Sequence, residues 1–163
     1  MNTFRVSVSK DYLVFASAHF ITFQGHRCET LHGHNYRVGI AVEGTLDDEV
    51  RFVVDFSVLK RIAKRVVDAI DHKVLLPLDN PKLAVTESAE SVSVSVHGVP
   101  RYVFPRTDCA LLPLANSTAE LLAEYLGIQV RDALAAEGIR HLALLELEVE
   151  ESPGQAATYR TTL

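Results

Sequence analysis

Apolar and polar residues alternate over residues 3–9 and again over 12–19, which predicts strand on both sides of a break near Lys10-Asp11. Tyr36, Val38, Ile40 and Val42 share one face of a strand over 35–44, and after the polar turn TLDDEV the segment 51–56 (RFVVDF) reads as its hairpin partner. The period then changes. Leu59, Ile62, Ala63, Val66, Val67 and Ile70 keep helical spacing over 57–70, with Ser57 or Asp55 placed to cap the helix. Asp71-His72 follows at its carboxyl end, just before the apolar run KVLLPL. Within 79–110, strict Ser/Val alternation from Ser91 to Val96, a turn at His97-Gly98 and a short strand near Tyr102 to Phe104 predict an extra hairpin. A second helix opens at Ser117-Thr118-Ala119-Glu120, a capping-box pattern, and runs to about Glu137 before Gly138. LALLELEVEES and ATYRTTL complete the set as strands. This order predicts an α+β fold with two helices on one face of an antiparallel sheet, whose open edges oligomerisation would cover.

Length and composition narrow the classes. A chain of 163 residues fits one domain over 1–163, with no linker or repeat to divide it. No apolar run approaches the roughly 20 residues that span a bilayer, and the amino terminus enters a strand pattern without a leader signature, so the expected location is the cytoplasm. A net charge of -5 with scattered basic residues leaves no footprint for nucleic acid, which points to a small-molecule partner. The two cysteines, Cys28 and Cys109, form no CxxC pair, which excludes a disulfide framework and a four-cysteine zinc site. Cys109 reads as structural.

The chemistry concentrates in CETLHGH, residues 28–34. Residues two apart on a strand point the same way, so His32 and His34 can aim at one point while Gly33 admits a close approach. A catalytic zinc site takes three protein ligands, and His19, ending the neighbouring strand, is the candidate third; the alternative is three separate surface or capping histidines. Cys28 reads as a fourth ligand, as a base or nucleophile beside the metal whose pKa falls toward neutrality, or as a small inert residue. Asp71-His72 is either a helix-dipole partner or a proton carrier. On the last long strand Glu146, Glu148 and Glu150 share one side, whereas Glu151 ends the apolar side of Leu145, Leu147 and Val149. There it needs a donor pair, such as the guanidine-like edge of a pterin or guanine, unless the strand exits to solvent. Thr118 can cap its helix or offer its hydroxyl to a ligand, and the capping box accounts for Glu120.

Taken together, FASAHF, CETLHGHNYRV, VVDFSVLK, DAIDHKVL, NSTAELLAEYL and LEVEESPGQAATYR resemble the 6-pyruvoyl-tetrahydropterin synthase and 6-carboxytetrahydropterin synthase family over nearly the whole chain. The resemblance implies a tunnelling fold, a homohexamer of two trimers, and active sites at subunit interfaces. It places the zinc ligands on His19, His32 and His34, the catalytic cysteine on Cys28, and the proton-transfer pair on Asp71 and His72 from a neighbouring subunit. It places the pterin anchor on Glu151, with Thr118 helping to hold the ring. Ser117 departs mildly from the family's proline or threonine, and the insertion at about 79–110 can reshape the mouth of the site. The implied activity is a lyase reaction on 7,8-dihydroneopterin triphosphate. Cysteine spacing C-x3-HGH is similar to the branch forming 6-carboxytetrahydropterin for 7-deazaguanine and queuosine synthesis. Glu29 stands where a folate-type branch, which forms 6-hydroxymethyl-dihydropterin, carries a glutamate; the bland reading is a solvated loop carboxylate. A silent pterin-binding hexamer and an unrelated zinc hydrolase are the competing classes. Arg27, Lys73 and Arg160 lie near the motifs as candidates to meet a triphosphate.

Overall fold

The computed structural model describes residues 2–25 and 27–163, and the side chains of these other than Lys10, Asp11 and Tyr12. Strand β1 (Phe4–His19) pairs antiparallel with β2 (His32–Gly44), from Phe4 opposite Gly44 to His19 opposite His32, with a register shift between Ser9 and Val14. The shift falls where the pattern breaks, and it switches which positions face inward. Ahead of it the even-numbered Val6 and Val8 stand opposite Val42 and Ile40; beyond it the odd-numbered Phe15, Ser17 and His19 stand opposite Tyr36, His34 and His32. Directly opposed residues share a face, and extra residues in one strand exchange its faces. The bulge therefore brings His19 to the side already occupied by His32 and His34.

Helix α1 (Phe56–Asp68) starts where the Asp55 carboxylate accepts the Ser57 N–H at 2.7 Å, and it buries Leu59, Ile62, Ala63 and Val67. The expected strand over 51–56 does not form. Asp47 instead accepts the N–H groups of Glu49 and Val50 in a turn, and the successive residues Val53 and Val54 are both buried, which a strand's two-residue period cannot give. Beyond α1 come β3 (Lys73–Pro77), β4 (Leu83–Glu87), β5 (Ser91–Val96), β6 (Val99–Pro105), a 3-10 turn over Arg106–Asp108, and β7 (Cys109–Leu112). Helix α2 (Ala119–Ala136), β8 (Leu142–Ser152) and β9 (Gln155–Thr162) close the order.

The main sheet runs β7-β3-β1-β2-β8-β9, and both helices cover one face of it around a core that includes Phe15, Tyr36, Ile62, Leu126 and Leu147. Against the all-antiparallel expectation, β3 lies parallel to β1 and β7 parallel to β3. Parallel neighbours need a long crossover, and the insertion supplies the one from β3 to β7. That insertion is a three-stranded sheet, β4-β5-β6, and not a bare hairpin, because the short β4 adds to the free edge of β5. Val92 and Val94 on its inner face join Phe20, Leu76 and Cys109 in a second core, with Cys28, Leu31, Tyr102 and Phe104 packed around it. Cys109 is buried there, as its structural reading requires, and its thiol donates to the Pro105 carbonyl at 3.4 Å.

The cap of α2 is Thr118, whose hydroxyl accepts the Leu121 N–H at 3.4 Å. The cap expected at Ser117 falls on the next residue because the buried Ser117 hydroxyl donates to the Phe20 carbonyl instead, and with Leu121 three residues after Thr118 only the cap half of the predicted Ser117–Glu120 box forms. Midway along α2, Gly127 meets the ring of Tyr159 on β9 so closely that an added Cβ would sit 2.6 Å from its Cδ1. Gly127→Ala should therefore lower stability by about 1–3 kcal/mol through overpacking, although alanine alone favours helix by roughly 1 kcal/mol. Urea unfolding checks this: a raised midpoint would show that the ring moves aside freely.

Candidate functional site

His19 and His32 face each other across the last rungs of the β1–β2 ladder, and His34 follows one pleat along. Together they form a group whose ligating atoms all lie within 4.8 Å of one another. The tautomers of two of them follow from their partners. Nδ1 of His19 lies 2.8 Å from the Ser117 carbonyl and Nδ1 of His32 lies 2.9 Å from the Thr30 carbonyl. A carbonyl only accepts, so each Nδ1 carries the proton and each Nε2 presents a lone pair, the arrangement in which a metal-binding histidine is oriented by a second group.

His19 decides whether a cation fits. Its ring is fully buried, and Nε2 has no hydrogen-bond partner. Burial holds its pKa below the ordinary value, more strongly than the Ser117 carbonyl and Glu151 raise it, and the two neighbouring histidines depress it further. Yet Glu151 Oε1 stands 3.4 Å from this Nε2 and 4.0 Å from Nε2 of His34. A neutral nitrogen lone pair facing a carboxylate oxygen repels it, and a cation at the three histidines turns that repulsion into attraction. The donor set thus fits a metal with three imidazole ligands.

Glu151 reaches this place by the regular alternation of β8, two residues beyond the buried Val149, and its pairing is irregular only against β9. Glu150 pairs with Ala156 and Ser152 with Gln155, which leaves Glu151 as the extra residue of β8. The carboxylate neither exits to solvent nor joins Glu146, Glu148 and Glu150; it accepts the hydroxyl proton of Tyr36 at 3.4 Å. Burial foremost, and then Glu151, push the Tyr36 phenol far above its usual range, so it remains a donor. The sequence pattern marks Tyr36 as a core residue, and its position two after His34 on the same face is the signal that links it to the site.

The loop between the strands carries the thiol. Cys28 forms an isolated antiparallel bridge with Thr22, and its Sγ donates to the Glu29 carbonyl at 3.5 Å. Among the described residues the clustered ligand atoms do not include Cys28, so the fourth-ligand reading finds no support. Burial raises the Cys28 pKa, opposed by the nearby Arg101 guanidinium, so the protein's own groups do not supply the expected drop toward neutrality. Glu29 is half-buried and turned inward: its Oε2 accepts the Ile21 N–H at 3.2 Å and lies 3.8 Å from Nδ1 of His32.

Asp71 and His72 are not gathered into the histidine group. The Asp71 carboxylate accepts the Ala16 N–H at 2.8 Å and lies 2.9 Å from Nδ1 of His72, while the buried Ser17 hydroxyl anchors the end of α1 through the Ile70 carbonyl. Desolvation raises the Asp71 pKa, but the Ala16 and His72 donors outweigh it and hold the carboxyl below its usual range. His72 takes a left-handed backbone at φ 56°, its side chain is 82% exposed, and it borders an open cleft of about 460 Å³ lined also by Ala16, Ser17, His34, Asn35 and Asp108. The cleft therefore reaches His34, while His19 and His32 are not part of its lining. Thr118 caps α2. Of the candidate cations, Arg160 pairs with Glu146 at 3.5 Å, Lys73 donates to the Thr107 carbonyl, and Arg27 stacks over Phe23 at 5.1 Å.

The profile of the family described as 6-pyruvoyl tetrahydropterin synthase matches residues 7–162. The chain is 34% identical, over 93% of its length and 91% of the relative's, to a Methanocaldococcus jannaschii protein provisionally named 6-carboxy-5,6,7,8-tetrahydropterin synthase. Its fold is similar to the 6-pyruvoyl tetrahydropterin synthases of Plasmodium vivax (30% identity, TM-score 0.93) and Plasmodium falciparum (33%, TM-score 0.92), each covered in full with this chain. Solved variants of the former replace a catalytic glutamate by alanine or cysteine. Among the described residues, no helix is long and apolar enough to cross a membrane.

Because burial depresses the pKa of His19, the metal-free fold carries fewer protons there than the unfolded chain below about pH 6.5. Stability from this group is complete above that pH and falls as the medium is acidified through the window beneath it. Urea midpoints of chelator-treated protein should drop on acidification, and His19→Gln should flatten the slope; an unchanged slope would remove His19 as the cause. The same variant should lose at least about tenfold in zinc affinity by competition titration.

Proposed function

The chain belongs to the 6-pyruvoyl tetrahydropterin synthase family, and from that premise we propose that it is a zinc-dependent lyase converting 7,8-dihydroneopterin triphosphate to 6-carboxy-5,6,7,8-tetrahydropterin. The observation that carries this reading is the buried His19 Nε2, orphaned beside Glu151 and flanked by His32 and His34. Bound at these three imidazoles, zinc supplies Lewis acidity toward the substrate's side-chain hydroxyls.

The chain's own residues do the rest. Cys28 moves a proton from the edge of the site, and its raised pKa makes it a thiol that needs a neighbouring positive charge to ionise. His72, with Nδ1 held by Asp71, is the second proton carrier. Its exposure, and its place outside the group formed by the three histidines of its own chain, favour delivery into the site of a neighbouring copy, so the working form is a homo-oligomer, a hexamer of two trimers. Glu151 accepts ring N–H donors, and Thr118 offers its hydroxyl beside the ring. The product feeds 7-deazaguanine and queuosine synthesis in the cytoplasm.

A second product reading has its own support. Glu29 points toward His32, and a Plasmodium vivax relative uses a catalytic glutamate, which favours participation of Glu29 and some formation of 6-hydroxymethyl-dihydropterin.

Zinc-loaded protein incubated with dihydroneopterin triphosphate should yield 6-carboxytetrahydropterin and acetaldehyde by mass spectrometry. Tight pterin binding without turnover would overturn the enzyme reading. Cys28→Ala should reduce kcat by about 10²–10⁴-fold with zinc still bound, and loss of metal in that variant would make Cys28 a ligand after all. If 6-hydroxymethyl-dihydropterin also forms, Glu29→Gln should suppress it selectively.

A further inference from the structure

The β1–β2 ladder ends at His19 and His32, so the backbone of the loop between them must find partners elsewhere. Part of that need is met nearby: Glu29 N–H donates to the Ile21 carbonyl at 2.8 Å, and the Asn116 side chain bonds both the N–H and the carbonyl of Thr22. Two groups beside the chemistry are satisfied from the insertion. The Leu31 N–H donates to the Tyr102 hydroxyl at 3.3 Å, and the Glu29 carbonyl accepts from Nη2 of Arg101 at 3.1 Å. Arg101 is itself fixed, because its Nε donates to the same Tyr102 hydroxyl at 3.1 Å. The Tyr102 ring is seated between Phe20 and Phe104, each 5.4 Å away, in the second core.

We propose that Tyr102 and Arg101 on β6 are positioning residues that clamp the Cys28–Leu31 backbone, and so fix where the Cys28 thiol and the Glu29 carboxylate stand relative to the three histidines. This gives the insertion a catalytic purpose: a rigid second core carries a two-point hydrogen-bond clamp onto the one loop that both product readings depend on. The inference rests on the lyase reading for its kinetic consequence, but the clamp itself is a property of the loop.

Tyr102→Phe removes the hydroxyl and keeps the ring, so a purely packing role predicts no change. The clamp predicts a fall in kcat of about tenfold with KM within about twofold, zinc content unchanged, and an altered ratio of the two products if both form. It also predicts that iodoacetamide modifies Cys28 at least about threefold faster, scored on its own peptide by mass, because the freed loop exposes the partly buried thiol. Arg101→Met should act in the same direction on kcat. Unchanged kcat in Tyr102→Phe overturns the proposal. If the unaltered protein shows no turnover, the lyase reading fails separately, and the alkylation rate decides: acceleration sustains the clamp, and an unchanged rate overturns it.

Discussion

The hydrogen bond from Nδ1 of His19 to the Ser117 carbonyl ties the end of β1 to the residue ahead of the Thr118 cap of α2, inside a region with no solvent to replace it. The bond turns the other ring nitrogen toward Glu151 and fixes it as a lone pair. Ser117 is held in turn by its own hydroxyl on the Phe20 carbonyl, so the two strands of the site, the start of α2 and the approach to the Cys28 loop share one buried polar junction. Removing either partner would leave a buried polar group unpaired, at a cost of about 1–3 kcal/mol. The junction is also what makes a cation welcome, since it presents a neutral nitrogen to a carboxylate at 3.4 Å.

Three irregularities border the chemistry. The register shift between Ser9 and Val14 moves His19 to the inner face, the irregular β8–β9 pairing leaves Glu151 without a partner on β9, and the left-handed His72 ends the run after α1. An unshifted β1 would not bring His19 to the face that Glu151 reaches by alternation alone. Each irregularity is braced: Phe15 stacks on Tyr36 at 4.6 Å beside the histidines, Tyr36 reaches Glu151, and Ser17 and Ala16 hold the end of α1 and Asp71. The site therefore sits among departures from periodic structure, held in place by a periodic core.

Much of this was legible along the chain. The two-residue period over 35–44 and the helical period over 57–70 place β2 and α1, because those faces bury continuous apolar stripes. His32 and His34 declare their shared direction by spacing alone, and Glu151 stands out as the carboxylate on an apolar face. The segment 51–56 misled because Val53 and Val54 are apolar for the sake of a core reached by a turn, and apolar residues look alike whichever element delivers them. The Ser117 to Glu120 box misled because a distant carbonyl, that of Phe20, claimed the serine.

The sequence by itself determined the two helices and the long strands, the inward histidine pair, the candidate third ligand and the inserted hairpin, since each follows from local periodicity or from residue chemistry at short separation. Only the tertiary structure decided that Glu151 faces the histidines, that Glu29 comes close to His32, that His72 stays outside its own chain's histidine group, and that Arg101 and Tyr102 reach back to the Cys28 loop. Those contacts join residues from 55 to more than 100 positions apart in cases such as Ala16 with Asp71 and Tyr36 with Glu151. They depend on strand order and on pairing between distant segments, which no local pattern encodes.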